Sequence, residues 1–106
     1  MTGTPIHTHL LSGDAGIKFA ADVAAGLGAA LKSHQAVSVD TRSLTAADLT
    51  TVQSLIAARV SAEAQGRTLL MAAPVSPALH AVLSDAGFLS PAQPNRGFWA
   101  ISSDQP

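Results

Sequence analysis

The chain has 106 residues, 47% hydrophobic and 12% charged, a composition that suits one folded domain with a modest core and not a disordered segment. Six Lys and Arg against seven Asp and Glu leave a formal charge of −1, and without a basic run nucleic-acid binding has little electrostatic support. The lack of cysteine excludes disulfides and thiolate metal sites, and no apolar run reaches the ~18–20 residues that span a bilayer.

Met1-Thr2-Gly3-Thr4-Pro5 lacks the basic and apolar blocks of a signal peptide, so the expected compartment is the cytoplasm. Ile6 to Leu11 reads as a strand, and Ser12-Gly13-Asp14-Ala15-Gly16 as turn chemistry. Phe19, Val23, Leu27 and Leu31 recur every four positions and predict a helix with one apolar stripe. Gly26 and Gly28 weaken that helix by ~1 kcal/mol each, which points to close packing or to tolerance of a less stable helix. Ala36 to Val39 predicts a short buried strand that ends in Asp40.

A second helix follows, capped by Thr45 or Asp48, with Leu49, Val52, Ile56 and Val60 on its stripe and Leu55 beside it. Gln65-Gly66 stops it, and Thr68 to Ala73 predicts the next strand. Ser76-Pro77 starts a third helix with Leu79, Val82, Leu83 and Ala86 on its apolar face. Gly87 stands at a left-handed cap position, and Phe88 is placed to close the contact after it. A loop over Ser90 to Gly97, a final strand over Phe98 to Ile101 and a frayed tail complete the chain. This alternation predicts one α/β domain over residues 1–106, with its core over about 6–101. Its mostly parallel, four-stranded sheet is covered by about three helices.

The residues that carry chemistry are few. Asp48, Thr50 and Thr51 at a helix start can satisfy its unpaired N–H groups, or present an exposed corner to a partner. Leu49 beside them is either core or, if exposed, an interface anchor. Asp40 reads as a strand end that bonds nearby backbone. His7 and His9 project from one face of their strand at a spacing that can grip zinc, but no third ligand is evident, so no metal is expected. Gly13-Asp14-Ala15-Gly16 lacks the lysine and glycine pattern of a nucleotide loop and reads as a plain turn. There is no Gly-x-Ser-x-Gly elbow, and His80 has no evident acid or nucleophile partner, so neither an enzyme nor a cofactor is expected. Trp99 is the only tryptophan. It is a core filler if buried and an interface anchor if exposed.

From Leu10 to Phe88 the layout resembles the STAS domain, shared by anti-sigma factor antagonists and the cytoplasmic tails of sulfate transporters. The resemblance rests on Gly13-Asp14 before the first helix, Val39-Asp40 at a strand end, and Asp48 at the acid of the family's Asp-Ser-Ser-Gly signature. Gln65-Gly66-Arg67-Thr68-Leu69-Leu70, Ala73-Pro74-Val75-Ser76-Pro77-Ala78-Leu79 and Ala86-Gly87-Phe88 match its later blocks in order and spacing.

The resemblance implies a bacterial module that binds a protein partner through Asp14, Asp40, Asp48, Leu49, Thr50 and Thr51. In the antagonist branch the residue after the signature acid is a phosphorylated serine or threonine. Here it is Leu49, which leaves Thr50 and Thr51 as the candidate phosphoacceptors. The implied partner is an anti-sigma factor or kinase, or a chemotaxis-linked protein. Two alternatives are an accessory subunit binding the ATPase of a phospholipid-transport complex, and a small anion or nucleotide sensor. The chain has room for one strand at its start where many relatives have two, which leaves a sheet edge open to self-association as a homodimer.

Overall fold

The computed structural model describes residues 5–72, 74–88 and 96–99. Strand β1 (Ile6–Leu10) is followed by the two-residue β2 (Gly13–Asp14), a 3-10 turn (Ile17–Phe19) and helix α1 (Ala20–Ser33). Next come β3 (Ala36–Asp40), β4 (Leu44–Ala46), α2 (Leu49–Ala64), β5 (Thr68–Met71) and α3 (Pro77–Asp85). The strands form two parallel sheets: a three-stranded one in the order β1-β3-β5, and a two-stranded one of β2 with β4.

The main sheet has one covered face. Val37 and Val39 of β3 and Leu69 and Met71 of β5 join the core with Val23, Leu27 and Leu31 of α1 and Val52 and Leu55 of α2. The opposite face carries Ile6, Thr8 and Leu10 beside Ala36, Ser38 and Asp40, with Thr68 and Leu70 beyond. Ile6, Leu10 and Leu70 on that face stay exposed.

The caps follow from local sequence. The Ser76 hydroxyl accepts the Leu79 N–H at 3.1 Å, and Pro77 opens α3. Both α2 and α3 end on a glycine with positive φ, Gly66 at 73° and Gly87 at 82°. The Arg67 N–H returns to the Ala62 carbonyl, and the Phe88 N–H to that of Leu83, as left-handed caps require. Phe88 packs against the core, as its position after Gly87 predicts. Of the two glycines in α1, Gly26 has the His9 ring against it and Gly28 has open space.

Three expectations are corrected. Among the described residues the main sheet has three strands and not four, and Arg96–Trp99, which includes the first half of the expected last strand, is a 3-10 turn. Phe98 and Trp99 are both buried with ring centroids 4.9 Å apart, whereas consecutive strand residues face opposite ways. The Gly13–Asp14 segment is not only a turn, since it pairs with β4. The buried face of α2 carries Thr51, Val52, Leu55 and Ala62, while Leu49 and Val60 lie outside it at 47% and 60% exposure. The expected N-terminal residues 1–4, the loop residues 90–95, strand residues 100–101 and the tail 102–106 lie outside the described residues, as does Ala73.

Candidate functional site

The two-residue strand β2 fixes one corner of the molecule. Gly13 lies beside Leu44 and Asp14 beside Ala46, and the Ala15 N–H donates to the Ala46 carbonyl at 2.9 Å. This pairing brings the turn before α1 against the start of α2. Asp48 is the α2 N-cap. Its Oδ1 accepts the Thr50 N–H at 2.9 Å and the Thr51 N–H at 3.3 Å, and its Oδ2 accepts the Ile17 N–H at 2.9 Å. One carboxylate thus ties two helix starts together. These bonds, led by that from Ile17, hold the Asp48 carboxyl below the usual carboxylate range.

Thr51 locks the same corner from inside. Its Oγ1 accepts the Asp48 N–H at 3.1 Å, closing a capping box, and donates to the Ala15 carbonyl at 2.6 Å. The residue is fully buried. Asp14 lies nearby, with its Oδ1 accepting the Gly16 N–H at 2.8 Å. Gly16 is wedged between the two acids: a Cβ there would sit 2.9 Å from Asp48 Oδ2 and 3.1 Å from Asp14 Oδ1.

Apolar side chains stand around this polar knot. Ile17 is 71% exposed, Leu49 47% and Phe19 42%. Thr50, half-buried, opens a groove of about 430 Å³ between α1 and α2, lined by small residues including Ala24, Gly28, Ser54, Ala57 and Ser61. Sequence reasoning missed Ile17 and Phe19, because a single apolar residue at a helix entrance reads as core.

The remaining predicted positions fall elsewhere. Asp40 is buried at the end of β3, where Arg42 grips it through Nη2 to Oδ2 at 2.8 Å, Nε to Oδ1 at 3.1 Å, and its backbone N–H to Oδ1 at 3.0 Å. The Arg42 side-chain bond is the main cause of its lowered carboxyl pKa. Asp40 therefore shapes the turn into β4. His7 stacks on His34 with centroids 3.9 Å apart and ring planes within 4°. His9 is half-buried, and burial followed by the nearby charge of His7 lowers its pKa. Trp99 is fully buried, so it fills the core.

Residues 6–89 match the family model described as Mlab, STAS domain. The chain belongs to the STAS domain family. A sulfate transporter family protein from Wolinella succinogenes has a similar solved structure, with a TM-score of 0.61 at 21% identity over 90% of this chain and 79% of that one. At that identity the likeness speaks to the fold. No curated protein matches this chain. STAS domains commonly mediate protein interactions or regulation. Among the described residues no helix is long and apolar enough to cross a membrane, and no group of three or more His, Cys, Asp or Glu is placed to hold a metal ion. In this STAS domain, Leu49 follows the helix-capping acid directly and points an alkyl side chain outward.

Proposed function

We propose that this chain acts as a single, non-enzymatic STAS domain that binds a protein partner in the cytoplasm through the corner where α2 begins. The carrying observation is the exposure of Leu49 beside a fully bonded Asp48. An exposed leucine on a rigid helix start suits an anchor for a complementary pocket. Ile17 and Phe19 extend the apolar area, Asp14 supplies a rim charge, and Thr50 continues it into the α1–α2 groove. Binding is constitutive at this position, because Leu49 has no hydroxyl to phosphorylate. Thr50 is the one candidate acceptor near the surface, since Thr51 is buried with its hydroxyl bonded. A small anion has a weaker case, because the Asp48 carboxylate already takes the Thr50 and Thr51 N–H groups at this helix start.

The leading partner is a signalling protein of the anti-sigma factor or serine-kinase class. A transporter ATPase subunit is the second reading, favoured by the family description Mlab, STAS domain and by the missing acceptor hydroxyl. Purified candidates of both classes, titrated against wild-type chain and Leu49→Asp, test the proposal. Binding to one class that Leu49→Asp weakens tenfold or more supports it. Binding that Leu49→Asp leaves unchanged refutes the corner. Phosphate on Thr50 after incubation with the kinase refutes the constitutive reading.

A further inference from the structure

The main sheet ends in β1, and among the described residues β1 pairs with β3 alone. The direction of its backbone groups follows from one bond. The Leu11 N–H donates to the Asp40 carbonyl at 2.9 Å, so Leu11 faces β3. Backbone groups alternate sides along a strand, so His7 and His9 face β3 too, while the N–H and C=O of Ile6, Thr8 and Leu10 face outward. β3 agrees, because its odd-numbered neighbours serve β5: Gln35 and Val39 accept from Thr68 at 3.0 Å and from Ala72 at 2.8 Å.

The side chains along this edge are self-complementary. Ile6-His7-Thr8-His9-Leu10 reads apolar, His, Thr, His, apolar in both directions. Ile6 and Leu10 are 56% and 66% exposed on one face, with Thr8 exposed between them. The strand holds no Lys, Arg, Asp, Glu or Pro and no bulge, so it lacks the devices that normally block edge pairing.

We propose that two copies of this chain pair along β1, antiparallel about a two-fold axis through Thr8, to make one continuous sheet. A two-fold axis presents the same patch to itself. In this register Thr8 meets Thr8 of the second copy as a hydrogen-bonded pair, and Ile6 meets Leu10 at both ends. Every outward amide and carbonyl of Ile6, Thr8 and Leu10 then has a partner. On one face an apolar pair lies either side of a threonine pair, a favourable cross-strand set. On the other, His7 meets His9, so no Lys, Arg, Asp or Glu faces a like charge across the seam. Pairing two strands of five residues buries less than the ~1,600 Å² of a standard stable interface, so the dimer forms reversibly with concentration. This inference stands apart from the docking corner, and its failure would leave that reading untouched.

Sedimentation velocity on the full chain, from about 5 µM to about 500 µM, tests it by mass action. The wild type passes from monomer to dimer over that range. Thr8→Pro removes an outward N–H, and Thr8→Lys sets two ammonium groups face to face. Both stay monomeric with unchanged circular dichroism, while Leu70→Lys, two strands away, still dimerises. The chain has no cysteine, so a single introduced one reports on its own copy. Thr8→Cys oxidises to a disulfide-linked dimer and Thr68→Cys, on the other edge strand, does not. A wild type that stays monomeric throughout, a dimer that both Thr8 variants retain, or faster cross-linking of Thr68→Cys overturns the proposal.

Discussion

The Asp48 carboxylate accepts the Ile17 N–H at 2.9 Å across 31 residues of sequence while it caps its own helix. The same side chain therefore sets the start of α2 and the entrance to α1. Replacing it by alanine strips the acceptor from the Ile17, Thr50 and Thr51 N–H groups together. Asp48→Ala is expected to lower the melting temperature by roughly 5–10 °C, from the usual cost of losing a cap in a domain of this size. Amide exchange at Ile17 should accelerate, while exchange at Leu83 in α3 should hold. An unchanged Ile17 would show that the long-range bond is not formed in solution.

Gly16 tests the same corner from the opposite side. A methyl group there approaches Asp48 Oδ2 at 2.9 Å and Asp14 Oδ1 at 3.1 Å, so one carboxylate must move. Gly16→Ala is predicted to destabilise by about 1–2 kcal/mol, measured by urea denaturation. Gly28→Ala has nothing within 4 Å to strike, and by removing a helical glycine it should stabilise by up to about 1 kcal/mol.

Thr51 and Thr50 are neighbours in sequence with opposite roles. Thr51→Val keeps the shape but leaves the Ala15 carbonyl without its donor and the Asp48 N–H without its acceptor. A loss of about 1–3 kcal/mol is expected in thermal or denaturant unfolding. Thr50→Val should cost less than half of that. Equal losses would contradict the placement of Thr51 as the internal lock.

Stability should decline over two separate pH ranges as acid is added. His9 has a lowered pKa, so protonating it opposes folding, and stability is full above its unfolded value near 6.5 and declines as pH falls below it. Asp40 and Asp48 are also lowered, so their contribution is full above the ordinary aspartate value near 4 and is lost as pH falls through their folded values. His9→Gln should flatten the first decline and leave the second. A melting temperature constant from pH 7 to pH 4.5 would contradict the His9 assignment.

Much of this fold is legible in the sequence because caps and periodicity are local. Ser76-Pro77, Gly66 and Gly87 mark helix ends by their own backbone preferences, and Val23, Leu27 and Leu31 repeat on one stripe. The β2–β4 pair is not legible, since two- and three-residue strands carry no period. The rotation of α2 is also hidden. Its buried face uses Thr51 and Ala62 in place of the larger Leu49 and Val60, and Thr51 is held inward by its hydrogen bond to the Ala15 carbonyl and not by hydrophobicity. Phe98 and Trp99 mislead for a related reason: both rings turn inward from a 3-10 turn, which an aromatic pair in sequence cannot distinguish from a strand. Asp48 is readable as a cap, but its hold on Ile17 depends on tertiary structure.

The most direct test of the docking corner compares three tagged chains in the native cell: wild type, Leu49→Asp and Val60→Asp, with the captured partner then purified and its affinity measured by calorimetry. Leu49 and Val60 are both exposed on α2, about three turns apart at 3.6 residues per turn, so each substitution adds one surface charge to a fold that should keep its melting temperature. Leu49→Asp should weaken binding of the partner at least tenfold, and Val60→Asp should leave it within twofold. Retained affinity in Leu49→Asp, or equal loss in both, would contradict the docking corner.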